Sequence, residues 1–390
     1  MIKNRYLTKF IVEDLLEKMV FVAGARQVGK TTLTTHLVAT HFKRHEYFNW
    51  DNRHDRKKML DSDWSGSAEL LILDEIHKYK NWKTFIKGEY DKLKSKYKFL
   101  VTGSSRLDIY RKGGDSLQGR YHYYRLHPFS LAEALNIQNK VEPFKEIAIG
   151  SEDHSSDLEA LTLFGGFPEP FIKQKTRFLR RWHNEKTERL FREEIRDTEQ
   201  IRDLSNMKLL SDVLVEKVGS LLSINSIRED LGVSHRAVSS WLDILESFYY
   251  HFRIYPHVGK RTRSIKKEPK LYLWDWSEIA NPTYRFENLI ASHLLKLVHF
   301  LTDYEGYRTQ LCFLRNVDKK EVDFLVTVDE KPWFAVEAKL SEETISKSLL
   351  YFKERMNIPF LYQVLAKPNV DRLKNGVRII SADKFLAGLV

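Results

Sequence analysis

Apolar runs and amphipathic stretches alternate along roughly the first 125 residues. A buried strand of a parallel sheet is apolar on both faces, whereas the helix that links it to the next strand is apolar on one. The alternation therefore predicts an α/β domain built on a parallel sheet. The predicted strands are 19–23, 45–49, 70–74, 98–102 and 121–125.

The pattern changes after this region. Residues 126–205 lose the strand-like runs and are predicted to be mostly helical, with a break at Gly165-Gly-Phe-Pro168. A compact helical module follows, ends in an aromatic strand-like segment and leads into a basic, turn-prone stretch at 257–270. The remainder returns to mixed α/β, with strands predicted at 322–328 and 333–338. The chain is thus expected to form four domains: 1–125, 126–205, 206–270 and 271–390.

A glycine-bracketed loop stands between the first predicted strand and a helical stretch. It reads Gly24-Ala-Arg-Gln-Val-Gly29-Lys30-Thr31 and fits the phosphate-binding pattern G-x-x-x-x-G-K-T. In such a loop, backbone N–H groups and the N-terminus of the following helix surround the phosphates of a nucleoside triphosphate. Lys30 is expected to reach the β- and γ-phosphates, and the Thr31 hydroxyl to coordinate Mg²⁺. The predicted nucleotide contacts are Gly24, Gln27, Val28, Gly29, Lys30, Thr31 and Thr32.

Two carboxylates close the third predicted strand. Asp74 and Glu75 follow an apolar run; Asp74 would hold the Mg²⁺ shell, and Glu75 would polarise the attacking water as a general base. The next strand ends in small polar residues, so a hydroxyl is expected near the γ-phosphate. Ser104 is the first candidate for that hydroxyl, and Thr102 is the alternative. These groups predict hydrolysis of the nucleotide as well as binding.

Phosphoryl transfer often needs a further cation at the γ-phosphate, frequently supplied by a neighbouring subunit. Arg106, Arg111 and Arg120 lie in the appropriate region of the chain. Arg120 is the preferred candidate because the polar turn at 116–120 leads into a strand, and the alternative is an ordinary surface arginine. An arginine acting in trans predicts a homo-oligomer.

Residues 224–245 have the spacing of a helix–turn–helix. Gly232 supplies the turn, and Ser234 caps the second helix. The residues of that helix expected to face a core are Val238, Trp241, Leu242 and Leu245. Those expected to face outward, as on a recognition helix in the major groove, are His235, Arg236, Ser239 and Ser240. Because winged helices also serve as protein-packing modules, contact with DNA and contact with protein both stay open.

Two predicted strands in the C-terminal region carry a charged constellation. Asp323 lies on the first strand, while Glu337 and Lys339 share one face of the second because side chains alternate along a strand. This is the arrangement of restriction-type nucleases: Asp323 and Glu337 would bind Mg²⁺, and Lys339 would orient water or stabilise the transition state. Glu287, upstream on a helix, resembles the extra acid of resolvase-like members of that superfamily. The alternative is a charged hairpin edge that discourages strand pairing.

The composition limits the class of protein. A content of 42% hydrophobic and 13% aromatic residues is enough for packed cores, and a formal charge of +11 suits DNA or another acidic partner. The single cysteine, Cys312, excludes an intramolecular disulfide. The N-terminus does not read as a signal peptide, and no apolar run approaches about 18 residues. A cytoplasmic protein without a membrane partner is therefore expected.

Taken together, the chain resembles prokaryotic AAA-type ATPases that carry a C-terminal domain of unknown function and are related to the archaeal ATPase group. The motifs that carry this resemblance recur in one order: the phosphate loop, Leu73-Asp74-Glu75, Val101–Ser105, the turn at 116–120, His127-Pro-Phe-Ser130 and Gly165–Pro168. The resemblance covers nearly the whole chain. It implies a P-loop core, a helical lid, a winged helix and a restriction-endonuclease-like C-terminal domain. It also implies ATP over GTP, since the chain has no guanine-reading N-K-x-D motif.

The leading hypothesis is a Mg²⁺-dependent ATPase that acts on DNA and couples its nucleotide state to a nuclease-like C-terminal domain. A competing hypothesis treats ATP as a conformational switch and the chain as a scaffold for protein partners, with a catalytically inactive C-terminal domain. A small-molecule kinase is disfavoured because most of the chain would then lack a role.

Overall fold

The computed structural model describes residues 4–103, 107, 117–196, 203–258 and 267–390. The chain divides into two compact units, Met1–His127 and Pro128–Val390. Three residues from the sequence predictions, Ser104, Arg106 and Arg111, lie outside the described residues, as does the central part of the basic stretch, 259–266.

The first unit is built on a parallel sheet. Its strands are β1 (Met19–Gly24), β2 (His45–Asn49), β3 (Leu70–Asp74), β4 (Lys98–Gly103) and β5 (Tyr121–Leu126). They lie in the order β2-β3-β4-β1-β5, each parallel to its neighbours. The predicted parallel sheet is confirmed, and each strand matches its predicted bounds to within one residue.

Helices connect these strands. They are α1 (Thr8–Asp14), α2 (Lys30–Thr32), α3 (Arg53–Leu60) and α4 (Trp82–Leu93). A π-helical turn at Leu33–Val38 and a 3₁₀ turn at Ala39–His41 continue α2, and a second 3₁₀ turn, Ile76–Lys78, follows β3. The core against the sheet is aromatic: Phe21 stacks on Tyr121 with ring centroids 4.7 Å apart and meets Trp82 edge-on at 5.9 Å.

Parallel pairing brings the carboxyl ends of these strands to one edge of the sheet. The register pairs Asp74 with Thr102 on one side and with Asn49 on the other. The last residue of β1, Gly24, lies at the same edge, where ligands bind in open α/β sheets. This edge therefore gathers the predicted nucleotide-binding residues.

The second unit contains an eight-stranded mixed sheet among its described residues. Its strands are β6 (His251–Pro256), β7 (Lys270–Leu273), β8 (Thr309–Arg315), β9 (Glu321–Val328), β10 (Lys331–Lys339), β11 (Phe360–Leu365), β12 (Asp371–Lys374) and β13 (Val377–Ser381). They lie in the order β12-β13-β11-β10-β9-β8-β6-β7. Strands β8, β9 and β10 are antiparallel, whereas β11 is parallel to both β10 and β13. The predicted domain boundary at residue 270 falls inside this sheet, since β6 and β7 pair directly.

The helices of the second unit pack around this sheet and next to one another. They are α5 (Leu131–Ala134), α6 (Ser155–Phe164), α7 (Pro168–Lys173), α8 (Thr176–Arg189), α9 (Leu204–Glu216), α10 (Ile224–Leu231), α11 (His235–Ser247), α12 (Pro282–Asp303), α13 (Lys347–Lys353) and α14 (Ala382–Ala387). A π-helical turn, Leu190–Ile195, extends α8, and a 3₁₀ turn, Trp276–Glu278, follows β7. Asn281 caps α12, because its side-chain oxygen accepts from the N–H of Thr283 at 2.9 Å.

Candidate functional site

The phosphate loop joins the end of β1 to the start of α2. A Cβ on Gly24 would lie 2.5 Å from the carbonyl oxygen of Leu126, so β5 can pass this close only to a glycine. Gln27 and Gly29 both adopt left-handed backbone conformations, with φ of 62° and 98°. Residues of this kind turn successive N–H groups toward one side of the chain and create an anion-binding concavity. The loop therefore has the backbone shape that a phosphate requires.

Lys30, the first residue of α2, lies across this loop. Its ammonium donates to the carbonyl oxygens of Gly24 and Ala25, each at 2.9 Å, and only 7% of the residue is exposed. Both contacts are to neutral groups at the mouth of the loop. The charge is thus held where the phosphates of a bound nucleotide would lie.

Asp74, at the end of β3, collects three hydroxyl donors from three different elements. Its Oδ2 accepts from Thr31 Oγ1 at 3.1 Å and from the Tyr47 hydroxyl at 2.7 Å. Its Oδ1 accepts from the hydroxyl of Thr102. The structure thus brings the two predicted Mg²⁺ ligands, Thr31 and Asp74, into direct contact. A hydroxyl and a carboxylate are donors that Mg²⁺ accepts, so these residues fit the ion.

Tyr47 is a member of this site that the sequence analysis missed. Burial and then the neighbouring Asp74 carboxylate raise the pKa of its hydroxyl, so it stays a neutral donor. Asn49 donates to the same hydroxyl oxygen at 3.3 Å. The sequence signal for this role was weak. Tyr47 and Asn49 lie two positions apart on β2, so their side chains share one face of the strand, but nothing local places that face beside Asp74.

Glu75, the predicted general base, lies just beyond the sheet edge. It has a left-handed backbone with φ of 58°, and its N–H donates to the carbonyl oxygen of Thr102 at 3.1 Å. Its carboxylate is a quarter exposed and lies 3.6 Å from His77 Nε2 and 3.7 Å from Lys78 Nζ. The Glu75 carboxylate is thus partly accessible to water and close enough to the Asp74 cluster to help raise the pKa of Tyr47.

The predicted hydroxyl at the γ-phosphate had two candidates. Ser104 lies outside the described residues. Thr102, the alternative, is completely buried and directs its hydroxyl at Asp74. The Thr102 hydroxyl is therefore bound to Asp74, the proposed metal ligand. Ser104 as the hydroxyl at the γ-phosphate stays a prediction.

Arg120, the preferred γ-phosphate cation, lies at the opposite edge of the sheet. Its carbonyl oxygen accepts from the N–H of Met19, the first residue of β1, at 3.3 Å, whereas the phosphate loop begins at the far end of that strand, roughly 17 Å away. The Arg120 guanidinium makes two bonds to Asp91 of α4, at 2.8 and 3.1 Å. Within one chain the structure does not bring Arg120 to the phosphate loop. A role at the nucleotide of a neighbouring copy stays a prediction.

The helix–turn–helix segment has the predicted local geometry. Helix α10 ends at Gly232, which is left-handed with φ of 66°, and Ser234 accepts from the N–H of Ala237 at 3.1 Å to cap α11. The core positions predicted for α11 are all buried: Val238, Trp241, Leu242 and Leu245. Of its predicted outward residues, His235, Arg236 and Ser240 are exposed and Ser239 is half-buried. The acids Asp243 and Glu246 bind Arg253 of β6, at 2.7 and 2.9 Å.

Three of the predicted nuclease-like residues, Glu287, Asp323 and Glu337, lie together with Glu321, and these four acids define the acidic cluster. The antiparallel register of β9 and β10 pairs Phe324 with Val336, so the next position sets Asp323 opposite Glu337. Asp323 Oδ2 accepts from the N–H of Ala338 at 3.0 Å, and Lys339 Nζ lies 2.9 Å from Glu337 Oε1.

One acid of this cluster, Glu321, and two residues that contact it, Lys270 and Tyr272, were not singled out from the sequence. Lys270 Nζ lies 3.3 Å from Glu287, 2.7 Å from Glu321 and 3.4 Å from Asp323. Tyr272 donates to Glu287 Oε1 at 2.7 Å. Lys270 appeared in the sequence only as the end of a basic stretch, which gave no sign that it would be buried.

Burial and charge shift the pKa values within this cluster. Burial and then the Asp323 carboxylate raise the pKa of Glu287 to about 7, and the same two causes raise the pKa of Glu337 to about 7. Burial by itself would lower the pKa of Lys270, but the carboxylates of Asp323, Glu287 and Glu321 outweigh it and raise the pKa. The lysine is therefore charged, and its positive charge does not fully offset the acids around it.

Family models match three successive parts of the chain. Residues 16–135 match an AAA domain, residues 155–280 match a domain of unknown function (DUF8612), and residues 285–385 match a second domain of unknown function (DUF4143). The first match spans the phosphate loop and the Asp74 cluster, so the first unit is similar to AAA domains. Among the helices that the structure describes, none is both long and apolar enough to span a membrane.

Two relatives come from Methanocaldococcus jannaschii. "Uncharacterized protein MJ1544" is 23% identical over 354 residues, which cover 86% of this chain and 78% of that protein. "Uncharacterized protein MJ1637" is 23% identical over 300 residues, which cover 67% of this chain and 62% of that protein. The similarity to the first relative thus extends across both units.

Several solved structures resemble parts of the chain. A RuvB variant of Thermotoga maritima covers 64% of this chain and 90% of its own, at 15% identity and a TM-score of 0.33. Bacteroides Pif1 bound to ssDNA covers 42% of this chain and 56% of its own, at 14% identity and a TM-score of 0.23.

Proposed function

We propose that the first unit binds ATP with Mg²⁺ and hydrolyses it as an AAA-type ATPase. The observation that carries this proposal is the contact between Thr31 and Asp74, 3.1 Å apart, next to the buried Lys30 ammonium. The similarity of residues 16–135 to an AAA domain supports it.

Each residue of the site has a defined task in this proposal. Lys30 exchanges its carbonyl contacts for the β- and γ-phosphates, and the loop N–H groups hold the same phosphates. Thr31 and Asp74 hold Mg²⁺, which offsets phosphate charge when bound. Glu75 takes a proton from the attacking water. Ser104 and, from a neighbouring copy in a homo-oligomer, Arg120 are proposed to contact the γ-phosphate.

Steady-state ATP hydrolysis tests this assignment. We expect turnover to require Mg²⁺, and Glu75→Gln to lower kcat about 100-fold while nucleotide binding persists. Glu69→Gln is the matched control, because Glu69 precedes the same strand and accepts from the N–H of Lys43 at 3.0 Å. Equal activity in the two variants would contradict the role of Glu75.

The second unit is proposed to act on DNA. Helix α11 exposes His235, Arg236 and Ser240 on a cap-stabilised recognition-type helix. The sequence of the basic stretch at 257–270 favours an anionic partner. In this proposal residues 206–270 act as a winged-helix module, and the C-terminal region has a restriction-endonuclease-like fold.

The acidic cluster supplies the nuclease-like part of the proposal. Carboxylate oxygens of Asp323 and Glu337 are ligands that Mg²⁺ accepts, and the two residues lie opposite each other on adjacent strands. They would hold the ion, which lowers the pKa of a bound water. Lys339, paired with Glu337, would stabilise charge on the scissile phosphate.

A panel of duplex, single-stranded and branched DNA tests the DNA proposal. We expect binding that weakens with salt, DNA stimulation of ATP hydrolysis, and weaker binding for Arg236→Ala. Arg228→Ala is the matched control, since Arg228 lies on α10 and pairs with Glu229. Binding without a salt slope would contradict the proposal. Any Mg²⁺-dependent nicking should be lost in Glu337→Ala and Lys339→Ala, and persistent nicking would exclude this site.

One observation favours a second candidate function. Lys270 already neutralises part of the acidic cluster, as expected if the C-terminal region is catalytically inactive and ATP drives a conformational switch or scaffold that contacts protein partners. Glu75→Gln should then trap an ATP-bound form of altered oligomer size. Light scattering with and without ATP measures this, and an unchanged size would count against the switch.

A further inference from the structure

Lys270 is one of the most deeply buried charges of the second unit. It begins β7, is 3% exposed, and directs its ammonium at one oxygen each of Glu287, Glu321 and Asp323. An ion at this depth is strongly destabilising unless it is paired and hydrogen-bonded. The three carboxylates supply that pairing.

Separate donors orient each of these carboxylates. Glu287 accepts from the hydroxyl of Tyr272 at 2.7 Å, and Asp323 accepts from the N–H of Ala338 at 3.0 Å. Glu321 is also bound by the guanidinium of Arg315. The arrangement around Lys270 is therefore held by the protein itself.

The spacing of the oxygens suits an ammonium better than a metal ion. The Nζ–O distances run from 2.7 to 3.4 Å, whereas divalent ions in proteins hold oxygens at about 2.0–2.6 Å. Within the described residues, one set of three ligand-type side chains has its ligand atoms within 4.8 Å of one another: His183, Asp275 and Glu278. The carboxylates around Lys270 are not such a set, so with the ammonium among them their oxygens lie too far apart to share one metal ion.

The His183 set shows the same arrangement independently. Lys186 Nζ lies 2.6 Å from Asp275 and also contacts Glu278. A partly buried lysine thus occupies a second acidic set of the same unit. Lysine as an internal counter-cation is a repeated feature of this unit.

We propose that Lys270 is the resident cation of the acidic cluster and replaces a divalent ion among Glu287, Glu321 and Asp323. Any divalent ion that the cluster takes up is then confined to the side formed by Asp323 and Glu337. This deepens the nuclease-like proposal above by limiting where metal binds.

Removing the lysine charge should create a metal site. Methionine is close to lysine in length and apolar, so Lys270→Met leaves three carboxylates facing one another without a cation. Divalent ions relieve such repulsion, and carboxylate groups are the ligands they prefer. The variant should therefore gain a site that the wild type lacks.

Mn²⁺ binding to the nucleotide-free full-length protein tests the proposal, measured by calorimetry and by electron paramagnetic resonance. We expect Lys270→Met to bind one more Mn²⁺ than the wild type, and Lys270→Met/Glu287→Gln to lose it. Lys270→Arg is the matched control and should gain none, because it keeps the charge. If Lys270→Met gains no Mn²⁺, or if the wild type binds Mn²⁺ in a way that Glu287→Gln abolishes, the proposal is wrong.

The wild type also decides the matter if Lys270→Met fails to fold. Wild-type Mn²⁺ binding that Glu287→Gln leaves unchanged supports the proposal, and binding that Glu287→Gln removes overturns it. The nuclease-like proposal fails separately. A wild type without any Mn²⁺ site refutes metal binding at Asp323 and Glu337, yet agrees with Lys270 as the resident cation.

Discussion

Two buried lysines, one in each unit, donate to different kinds of acceptor. Lys30 donates to two neutral carbonyl oxygens, each 2.9 Å away. Lys270 lies within 3.4 Å of three carboxylates. A carbonyl contact stabilises an ammonium without cancelling its charge, whereas a carboxylate cancels it. In the proposed ATPase, the ammonium of Lys30 would exchange its carbonyl acceptors for phosphate, whereas the charge of Lys270 is paired inside the protein.

The difference also separates two uses of acidic residues. Asp74 is held by the hydroxyls of Thr31, Tyr47 and Thr102, which are neutral donors. In the proposed ATPase, this carboxylate would hold the metal ion. Asp323 and Glu287 instead face Lys270, whose positive charge offsets their negative charges. A cluster of acids is therefore weak evidence for a metal until the cations beside it are known.

Replacing the two lysines should have the most unequal effect on ATP hydrolysis. Lys30→Ala removes the cation proposed to contact the β- and γ-phosphates and should lower kcat/KM about 100-fold or more. Lys270→Met, in the absence of DNA, should change it by less than about twofold, because Lys270 takes no part in that site. A phosphate-release assay measures both.

Lys98→Ala controls for the loss of a lysine near the sheet of the first unit. Lys98 starts β4 and donates to the carbonyl oxygen of Leu16 at 3.1 Å on the surface. Its loss should leave hydrolysis near the wild-type rate. Equal activity of Lys30→Ala and Lys98→Ala would contradict the proposed difference between the two buried lysines, because the charge of Lys30 would then not be needed for ATP hydrolysis.

Lys270 and Lys339 both contact the acidic cluster, but they should contribute unequally to the stability of the second unit. Lys270→Met leaves buried carboxylates uncompensated and should lower the free energy of unfolding of the second unit by about 3–5 kcal/mol. Lys339→Met removes a lysine whose side chain is one-third exposed, so about 0–1 kcal/mol is expected. Urea unfolding above pH 7, where Glu287 is ionised, measures both. Equal losses would show that Lys270 does not hold the cluster together.

The two lysine sites also differ in how far the sequence predicts them. Lys30 donates to residues five and six positions away in the chain, so a local pattern of glycines and a lysine predicts these two contacts. Lys270 contacts residues 17 and 53 positions away. Its burial depends on how β7, β9 and α12 pack, which no local pattern encodes.

The strands follow the same rule. In the first unit, β1 and β3 are nearly continuous apolar runs, and the bounds of all five strands were predicted to within a residue. The pairing of β6 and β7 with the C-terminal strands depends on contacts such as Tyr255 with Cys312, far apart in sequence. Tyr47 was missed for this reason too: its use became visible only when β2 paired with β3 and set it beside Asp74.

A hydroxyl deletion sharpens the account of Asp74. Tyr47→Phe removes one donor to a charged acceptor and should lower the free energy of unfolding of the first unit by about 2 kcal/mol. It should also weaken Mg²⁺-dependent nucleotide binding modestly, since Asp74 loses part of its orientation. Tyr97→Phe is the control, because Tyr97 donates to the carbonyl oxygen of Ser65 at 3.1 Å. Identical nucleotide affinity for the two variants would show that Tyr47 does not position Asp74.

The smallest expected effect is on the pH dependence of stability and involves β6, the strand that pairs with β7. His251 of β6 pairs with Leu273 of β7 and is completely buried. Burial, then the Arg253 charge, lowers its pKa from 6.5 to about 3. The unfolded chain therefore binds a proton that the folded chain rejects, and His251 costs stability as the pH falls from about 6.5 toward 3. Glu287 and Glu337 act in the opposite sense: with folded pKa values of about 7, they destabilise the fold less as the pH falls toward 4.5.

His251→Leu separates these opposing trends. The variant has no histidine at this position whose protonation could favour the unfolded chain. As the pH falls from 7.5 to 5.5, its free energy of unfolding should therefore rise by about 1 kcal/mol relative to that of the wild type. His235→Gln, at an exposed position, should follow the wild type over the same range. With His251 removed, the remaining pH dependence reports the acids around Lys270 more directly. A difference between His251→Leu and the wild type that stays constant with pH would mean that the histidine is not held neutral, and the acid response would then belong to other groups.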